Sequence, residues 1–392
     1  MQHKFDRIDR LPPYVFSEVN AMKARARAAE IDVIDFGMGN PDTGSPKHVV
    51  EKLVEAVSDP RTHRYSTSRG IKGLRQAVAN YYGNRFGVEL DIETEVIVTL
   101  GSKEGLANLA SAISAPGDVV LVPNPSYPIH PYGFVIAGAN VCSVRVGDGL
   151  DLMAEIKSAA MRVSPRPKAL VLNFPNNPTG AVVDLEFYSE VVEFARSIGM
   201  YILSDIAYAE IYFDGQPPPS ILQVPGAMDI AVEFSSVSKT YSMPGWRVGF
   251  GAGNKDLIGA LARIKSYLDY GAFTPIQVAA SAALNGPQEC VEAIRNRYRE
   301  RRDVLIDSFA SSGWEIPSPR ATMFIWAPVP AAFEALGSLQ FSKILLEEAR
   351  VAVSPGIGFG KYGDGHVRLA LVENRQRIRQ AARNVRQFLS KY

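Results

Sequence analysis

The stretch Ser235–Phe250, SSVSKTYSMPGWRVGF, surrounds one lysine with groups that could hold an anion. Lys239 stands between Ser238 and Thr240, shortly after Ser236, and Arg247 follows beyond a Pro-Gly break. A lysine becomes a useful nucleophile when it is partly desolvated near another cation, because its pKa then falls toward neutrality. Serine hydroxyls and a planar guanidinium suit a phosphate, which takes several donors at once. A nucleophilic lysine beside a phosphate cradle is what pyridoxal phosphate requires: covalent attachment of its aldehyde and a clamp on its phosphate. Taken alone, the same lysine reads equally well as a solvated residue in a Ser-rich turn. The rest of the chain decides between the two.

The elements that must position these groups alternate. DVVLVP (118–123), VCSVRV (141–146), KALVLN (168–173), MYILSD (200–205), DIAVEF (229–234) and RVGFGAG (247–253) read as short strands, several of them separated by helical segments such as Leu185–Ile198. EVIVTLGSKEGLANLASAI reads as strand, turn, helix, with the turn at Gly101-Ser102-Lys103. Such alternation predicts an α/β domain with a mostly parallel sheet. Ligands of such sheets sit at the carboxyl ends of strands. Tyr127 within Pro125–Pro128, Asn177 within Asn176–Gly180, Asp205 with Tyr208, and Lys239 all follow strands directly. A helix entered through Gly101 and Ser102 offers free amide donors to an anion. Upstream, residues 31–42 run from a strand into a turn at Gly37 and Gly39, where backbone could approach a ligand. Ser45 and Pro46 are read as the N-cap and first-turn proline of the next helix.

Composition narrows the class. The chain has 392 residues, 46% hydrophobic and 21% charged, ordinary for a globular enzyme of two or three domains. With 42 Lys+Arg against 41 Asp+Glu, the net charge of +1 leaves no basic footprint for nucleic acid. Two cysteines, Cys142 and Cys290, are expected as unpaired core residues rather than a disulfide framework. The five histidines lack metal-ligand spacing, so no metal is expected. No apolar run reaches the length of a signal peptide or a membrane helix, and the expectation is a cytoplasmic protein. The runs Gly249–Gly253 and Gly356–Gly360 lack the GxGxxG spacing of dinucleotide loops. Beyond Pro287 a long charged helix, about 287–311, leads to strands at 323–329 and 366–372 and a final helix over 373–389. The expected division is a large α/β domain over 45–286 and a small α+β domain from 1–44 plus 287–392.

Collected, these residues have the chemistry of a pyridoxal phosphate site. Lys239 would carry the aldehyde, Asp205 would face the ring nitrogen, and Asn177 and Tyr208 would bond the ring's phenolic oxygen. Tyr127 would stack on the ring, and Ser236, Ser238, Arg247 and the Gly101, Ser102 and Lys103 amides would hold the phosphate. NNPTG at 176–180, SDIAY at 204–208, SVSKTYSMPGWRVG at 236–249 and HVRLA at 366–370 resemble the motifs of class I aminotransferases of the fold-type I pyridoxal phosphate family. The resemblance spans essentially the whole chain. RLPPYVF, HRYSTSRGI, PNPSYPIH and SPGIGFG look nearest to bacterial glutamate–pyruvate aminotransferases, with LL-diaminopimelate aminotransferases as near relatives.

That resemblance implies a three-layer fold with a mostly parallel seven-stranded sheet and a smaller α+β domain. It implies that Arg368 grips the substrate α-carboxylate, that Gly39 contacts the same group through its backbone, and that Tyr14 closes over the substrate. It implies that Tyr65, and more weakly Thr274, reaches the neighbouring subunit's site, making the active unit a homodimer. Lys239 would then move the proton from the substrate Cα, in a ping-pong exchange between an amino acid and a 2-oxo acid. The stretch Tyr267–Thr274 holds no arginine but does hold Asp269, whose carboxylate is expected to disfavour aspartate. With Tyr14, Val15 and Phe16 as an apolar lid, the expected pair is L-alanine with 2-oxoglutarate, and Lys103 is a candidate for glutamate's second carboxylate. The alternatives are LL-diaminopimelate, aspartate, or methionine/aromatic substrates on the same scaffold. More distant rivals are a lyase, decarboxylase or oxoamine synthase with the same cofactor residues. A pyridoxal phosphate sensor with a DNA-binding module is disfavoured by the lack of room before residue 45 and of any basic stripe.

Overall fold

The computed structural model describes residues 5–147, 149–215 and 217–392. Its largest sheet contains β2 (Val96–Thr99), β3 (Val119–Asn124), β4 (Asn140–Arg145), β5 (Ala169–Asn173), β6 (Tyr201–Asp205), β7 (Ala231–Ser236) and β8 (Gly249–Gly253), following a short β1 (Ile34–Asp35). The order across the sheet is β2-β8-β7-β6-β5-β3-β4. Only β8 runs antiparallel to its neighbours in this sheet, among the described residues.

The inner strands β3, β5, β6 and β7 form because they are rich in Val, Ile, Leu and Ala and are covered on both faces, as parallel strands are. Alternate side chains leave the sheet on opposite sides. Leu170, Leu172 and Ile202 join one cluster with Leu74, Tyr82 and Tyr188. Val171 and Leu203 join another with Leu106, Leu109 and Leu261. The result is three layers, helix over sheet over helix, as the resemblance implies. Each buried aliphatic side chain contributes about 1.5–3 kcal/mol on leaving water. Helix ends follow local rules: Asp184 caps the helix Leu185–Ile198 by accepting from Phe187 N, and Gly199 closes it at φ 66°.

A separate cluster gathers Ile34, Phe36, Leu305, Phe309, Phe341, Leu369 and Phe388. It lies among the helices Glu289–Ala310, Gly337–Ala349 and Arg375–Leu389 and two small sheets. In one, β9 (Phe324–Pro328), β11 (Ser354–Pro355) and β12 (His366–Ala370) run antiparallel in the order β11-β12-β9. In the other, β1 pairs in parallel with β10 (Val351–Ala352), Ile34 opposite Val351. Val367 and Leu369 face the core, so the strand's period of two turns Arg368 to the other side.

Three local expectations are corrected. Ser45 does not cap the helix Lys47–Val57, which has no side-chain cap; its Oγ donates to Ser242 O at 3.0 Å instead. Strand β8 begins at Gly249, because Arg247 sits in the left-handed region at φ 57° and cannot extend the strand. Cys142 and Cys290 are free but half-buried rather than core residues. No helix among the described residues is long and apolar enough to cross a membrane.

Candidate active site

The parallel strands β3, β5, β6 and β7 end on one edge of the sheet. Antiparallel β8 starts there, with Gly249 opposite Ser236 on one side and Thr99 on the other. Sheet order therefore brings residues from five connections to one pocket of about 320 Å³.

At one end lies a cup for an anion. Strand β2 passes through Gly101 into the helix Ser102–Ile113, leaving that helix's first amides free. Gly101 has φ +85°, and a Cβ there would lie 2.3 Å from Arg247 Nη2. A Cβ on Gly249 would lie 2.6 Å from Gly101 C and Ser102 N. Glycine at both positions is what lets guanidinium and amides converge. Arg247 Nη1 donates to Pro244 O at 2.9 Å and Nη2 to Leu100 O at 3.1 Å, and no acid among the described residues pairs with it. Ser236 Oγ accepts from Ser238 N at 3.1 Å, capping the turn Val237–Thr240, and lies 2.8 Å from Ser238 Oγ. Ser102, Lys103, Ser236 and Ser238 all line the pocket.

Lys239 extends from that capped turn, and its Nζ donates to Gly39 O at 2.8 Å. Burial, then the Arg368 and Arg247 charges, lowers its pKa from 10.5 to about 8. No carboxylate among the described residues opposes these effects. About a tenth of Lys239 is thus neutral and nucleophilic at pH 7, far more than for an ordinary lysine.

Asp205 ends β6 opposite Asn173 of β5. Its Oδ2 lies 3.0 Å from His130 Nε2, and its Oδ1 accepts from Ala207 N at 3.1 Å. Asn173 Nδ2 donates to Asp205 O at 2.8 Å. Both oxygens are thus oriented, and the carboxylate lines the same pocket as Lys239. Tyr208 and Tyr127 line it too, and burial raises both phenols above their ordinary value.

Arg368 enters from the small sheet. It is buried, with Phe324 4.0 Å and Phe359 4.6 Å from its guanidinium carbon. Nη1 donates to Asn177 Oδ1 at 2.8 Å, and Nε is buried without a hydrogen-bond partner. Burial lowers its pKa from the ordinary arginine range to about 10, and no acid among the described residues pairs with it. A desolvated guanidinium lacking an anion is a costly arrangement unless a ligand carboxylate completes it.

The residues predicted from sequence fall into three groups. Gly39, Gly101, Ser102, Lys103, Tyr127, Asn177, Asp205, Tyr208, Ser236, Ser238, Lys239, Arg247 and Arg368 converge on the pocket. Tyr14 and Phe16 line its mouth, while Val15 does not. Tyr65 lies outside it, 87% exposed and packed on Tyr270 at 4.9 Å, and Thr274 opens the helix Thr274–Asn285 away from the lining. The expectation for Asp269 is corrected. Its Oδ2 pairs with Lys265 Nζ at 2.9 Å and its Oδ1 accepts from Gly271 N at 2.6 Å, so it does not face the pocket as a free carboxylate.

The sequence reading missed His130, Asn173, Phe324 and Phe359. His130 carried a usable signal, since it lies just beyond Tyr127 in the first turn of the helix Ile129–Ala137, at the same sheet edge. Phe324 and Phe359 carried none, because they meet Arg368 only through tertiary packing.

The donor set fits pyridoxal phosphate on structural grounds: a lysine of lowered pKa, an oriented carboxylate, and a glycine-lined cup holding an unpaired arginine. Comparison with known proteins agrees. The family description "Aminotransferase class I and II" matches residues 31–385. The chain is 59% identical over 387 residues to the provisionally named aminotransferase AatC of Rhizobium meliloti (strain 1021), covering 99% of this chain and 96% of that one. It is 55% identical over 385 residues to the glutamate-pyruvate aminotransferase AlaC of Escherichia coli (strain K12), covering 98% and 93%. It is 44% identical over 385 residues to the LL-diaminopimelate aminotransferase of Moorella thermoacetica (strain ATCC 39073 / JCM 9320), covering 98% of each. Among solved structures, substrate-bound BacF from Bacillus subtilis superposes with a TM-score of 0.91 at 34% identity, covering 99% and 98%.

Proposed function

The chain belongs to the class I and II aminotransferases, pyridoxal phosphate-dependent enzymes, and from that premise we propose that it exchanges amino groups between L-alanine and 2-oxoglutarate. The observation that carries the amino-acid reading is Arg368: a buried guanidinium held between two rings, without an acid, in the same pocket as Lys239. Its planar fork matches an α-carboxylate.

Bound pyridoxal phosphate supplies an electron-accepting ring joined to the substrate nitrogen. The chain's residues do the rest. Gly101, Ser102, Ser238 and Arg247 would hold the phosphate. Asp205, oriented by His130 and Ala207 N, would keep the ring nitrogen protonated. Asn177 has its Oδ1 committed to Arg368, which leaves its amide to donate to the ring's phenolic oxygen beside Tyr208. Arg368 fixes the substrate carboxylate and so aims the Cα–H bond at Lys239. Lys239 Nζ, released from Gly39 O and partly neutral, takes that proton and later returns one. The same residues serve both half-reactions, which gives ping-pong kinetics.

The alanine assignment is supported by the apolar mouth at Tyr14 and Phe16 and by the identity to AlaC. Lys103, which lines the pocket, is our candidate for the second carboxylate of glutamate. LL-diaminopimelate is the second reading, supported by the relatives of that name. The proposal extends to a homodimer in which Tyr65 and Thr274 serve the neighbouring site, a cytoplasmic location, and a division into 45–286 and 1–44 plus 287–392. A panel of amino donors with 2-oxoglutarate tests the substrate. L-Alanine should lead, and a kcat/KM for LL-diaminopimelate or aspartate more than about tenfold higher, roughly 1.4 kcal/mol, would overturn it.

A further inference from the structure

An acid stands just behind the anion cup, one residue beyond the Lys103 that lines it. Glu104 lies in the first turn of the helix Ser102–Ile113, whose free amides open on the anion cup. Its Oε2 accepts from Leu100 N at 2.8 Å, which holds the turn in shape. Leu100 O in turn accepts from Arg247 Nη2 at 3.1 Å, so one residue's backbone links Glu104 to the cup's arginine. An uncompensated carboxylate this close would repel a phosphate dianion.

Lys265 supplies the compensation. It is fully buried on the helix Lys255–Leu268, and its Nζ lies 2.9 Å from Glu104 Oε1 and 2.9 Å from Asp269 Oδ2. Asn108 Nδ2 also donates to Glu104 Oε1. Asp269 carries the connection outward. Its backbone O accepts from Ser68 Oγ at 2.5 Å, and its Oδ1 holds Gly271 N. At Gly271, φ is +81° and a Cβ would lie 2.3 Å from Thr67 O, so the two loops press together there. Tyr65 and Tyr270 pack against each other at the ends of these loops.

We propose that Lys265 is a positioning residue for cofactor retention. Its ammonium offsets the Glu104 charge that would otherwise face the cup unopposed, and it ties the cup to the loops that carry Tyr65 and Tyr270. The proposal rests on the reading that the cofactor phosphate sits at Gly101 and Ser102. A merely structural ion triad would affect folding without distinguishing ligands that bear a phosphate from those that do not.

Equilibrium dialysis of the full-length enzyme, stripped of cofactor and then refilled with pyridoxal phosphate or with pyridoxal, tests this by the absorbance of the bound ligand. Lys265→Met should raise the Kd for pyridoxal phosphate at least tenfold and leave that for pyridoxal within threefold. Adding Glu104→Gln should bring pyridoxal phosphate back to within threefold of the parent. Retention within threefold in Lys265→Met, or equal weakening of both ligands, would overturn the proposal. Should Lys265→Met fail to fold, Glu104→Gln alone decides. It removes the acid while Asp269 still pairs with Lys265, so pyridoxal phosphate should bind as tightly as before or more tightly, and a tenfold loss would overturn the proposal. A parent that held pyridoxal as tightly as pyridoxal phosphate would overturn the phosphate assignment itself, and this proposal with it.

Discussion

Lys239 in the pocket and Lys265 behind the anion cup are two lysines drawn out of water, and the chain treats them in opposite ways. Lys265 has two carboxylates at 2.9 Å. Lys239 has a carbonyl at 2.8 Å, two cations acting on it, and no acid among the described residues. Arg368 and Arg247 share the second condition. A buried cation that the fold has paired is scaffolding. A buried cation that the fold leaves unpaired holds its charge, or its lone pair, for something that arrives from outside. The pocket is thus defined less by which charges are present than by which partners are withheld.

The largest effect expected from breaking that contrast is at Lys239. Lys239→Ala should lower transamination by ~10⁴-fold or more while the purified variant still binds the cofactor, seen by its absorbance. Turnover within tenfold of the parent would mean that another group carries the proton. Next is Arg368→Gln, which removes the unpaired guanidinium. KM should rise by about 100-fold, roughly 3 kcal/mol, for amino acids and 2-oxo acids alike, because all share the α-carboxylate. A fall in kcat at constant KM would place Arg368 outside ground-state contact.

The smallest effect concerns stability and has a distinctive sign. Lys239 has a folded-state pKa near 8, below its ordinary 10.5. The unfolded chain therefore binds more protons between those values, so the lysine opposes folding fully below about pH 8, and its penalty fades as pH rises through 10.5. Lys239→Met should stabilise the cofactor-free protein by about 2 kcal/mol at pH 7, allowing for partial exposure, and by nothing at pH 11. Thermal melts across that range would show the gap closing. Lys265→Met should move the other way at pH 7, since it strands two carboxylates. A loss of stability in Lys239→Met at pH 7 would dissolve the contrast between the two lysines.

Much of the site is legible in the order of residues alone. Strand-like runs end in Asn177, Asp205 and Lys239, and a mostly parallel sheet sends such ends to one edge. Gly101 and Arg247 are legible as parts of a phosphate site. The reason glycine stands at 101, a guanidinium 2.3 Å from where a Cβ would be, is not. Ser45 shows how a local rule fails: its sequence fits a cap, but the nearby Ser242 carbonyl, 197 residues along the chain, takes the hydroxyl. Asp269 shows the same for charge. Its sequence position suggests a carboxylate facing the substrate, and in the fold it belongs to Lys265.

The alternation of strands and helices, the residue types at each strand end, and the chemistry those types can perform are all written in the linear order of the chain. These depend on periodicity and short spacing, which a chain carries locally. Only the tertiary structure decided the pairings: His130 with Asp205 across 75 residues, Lys265 with Glu104 across 161, and Arg368 between Phe324 and Phe359. Those follow from the order of strands across the sheet and from how the small β-sheet faces it. A side chain's partner is whatever that packing brings within about 3 Å, and for a buried charge the partner settles whether it supports the fold or waits for a ligand.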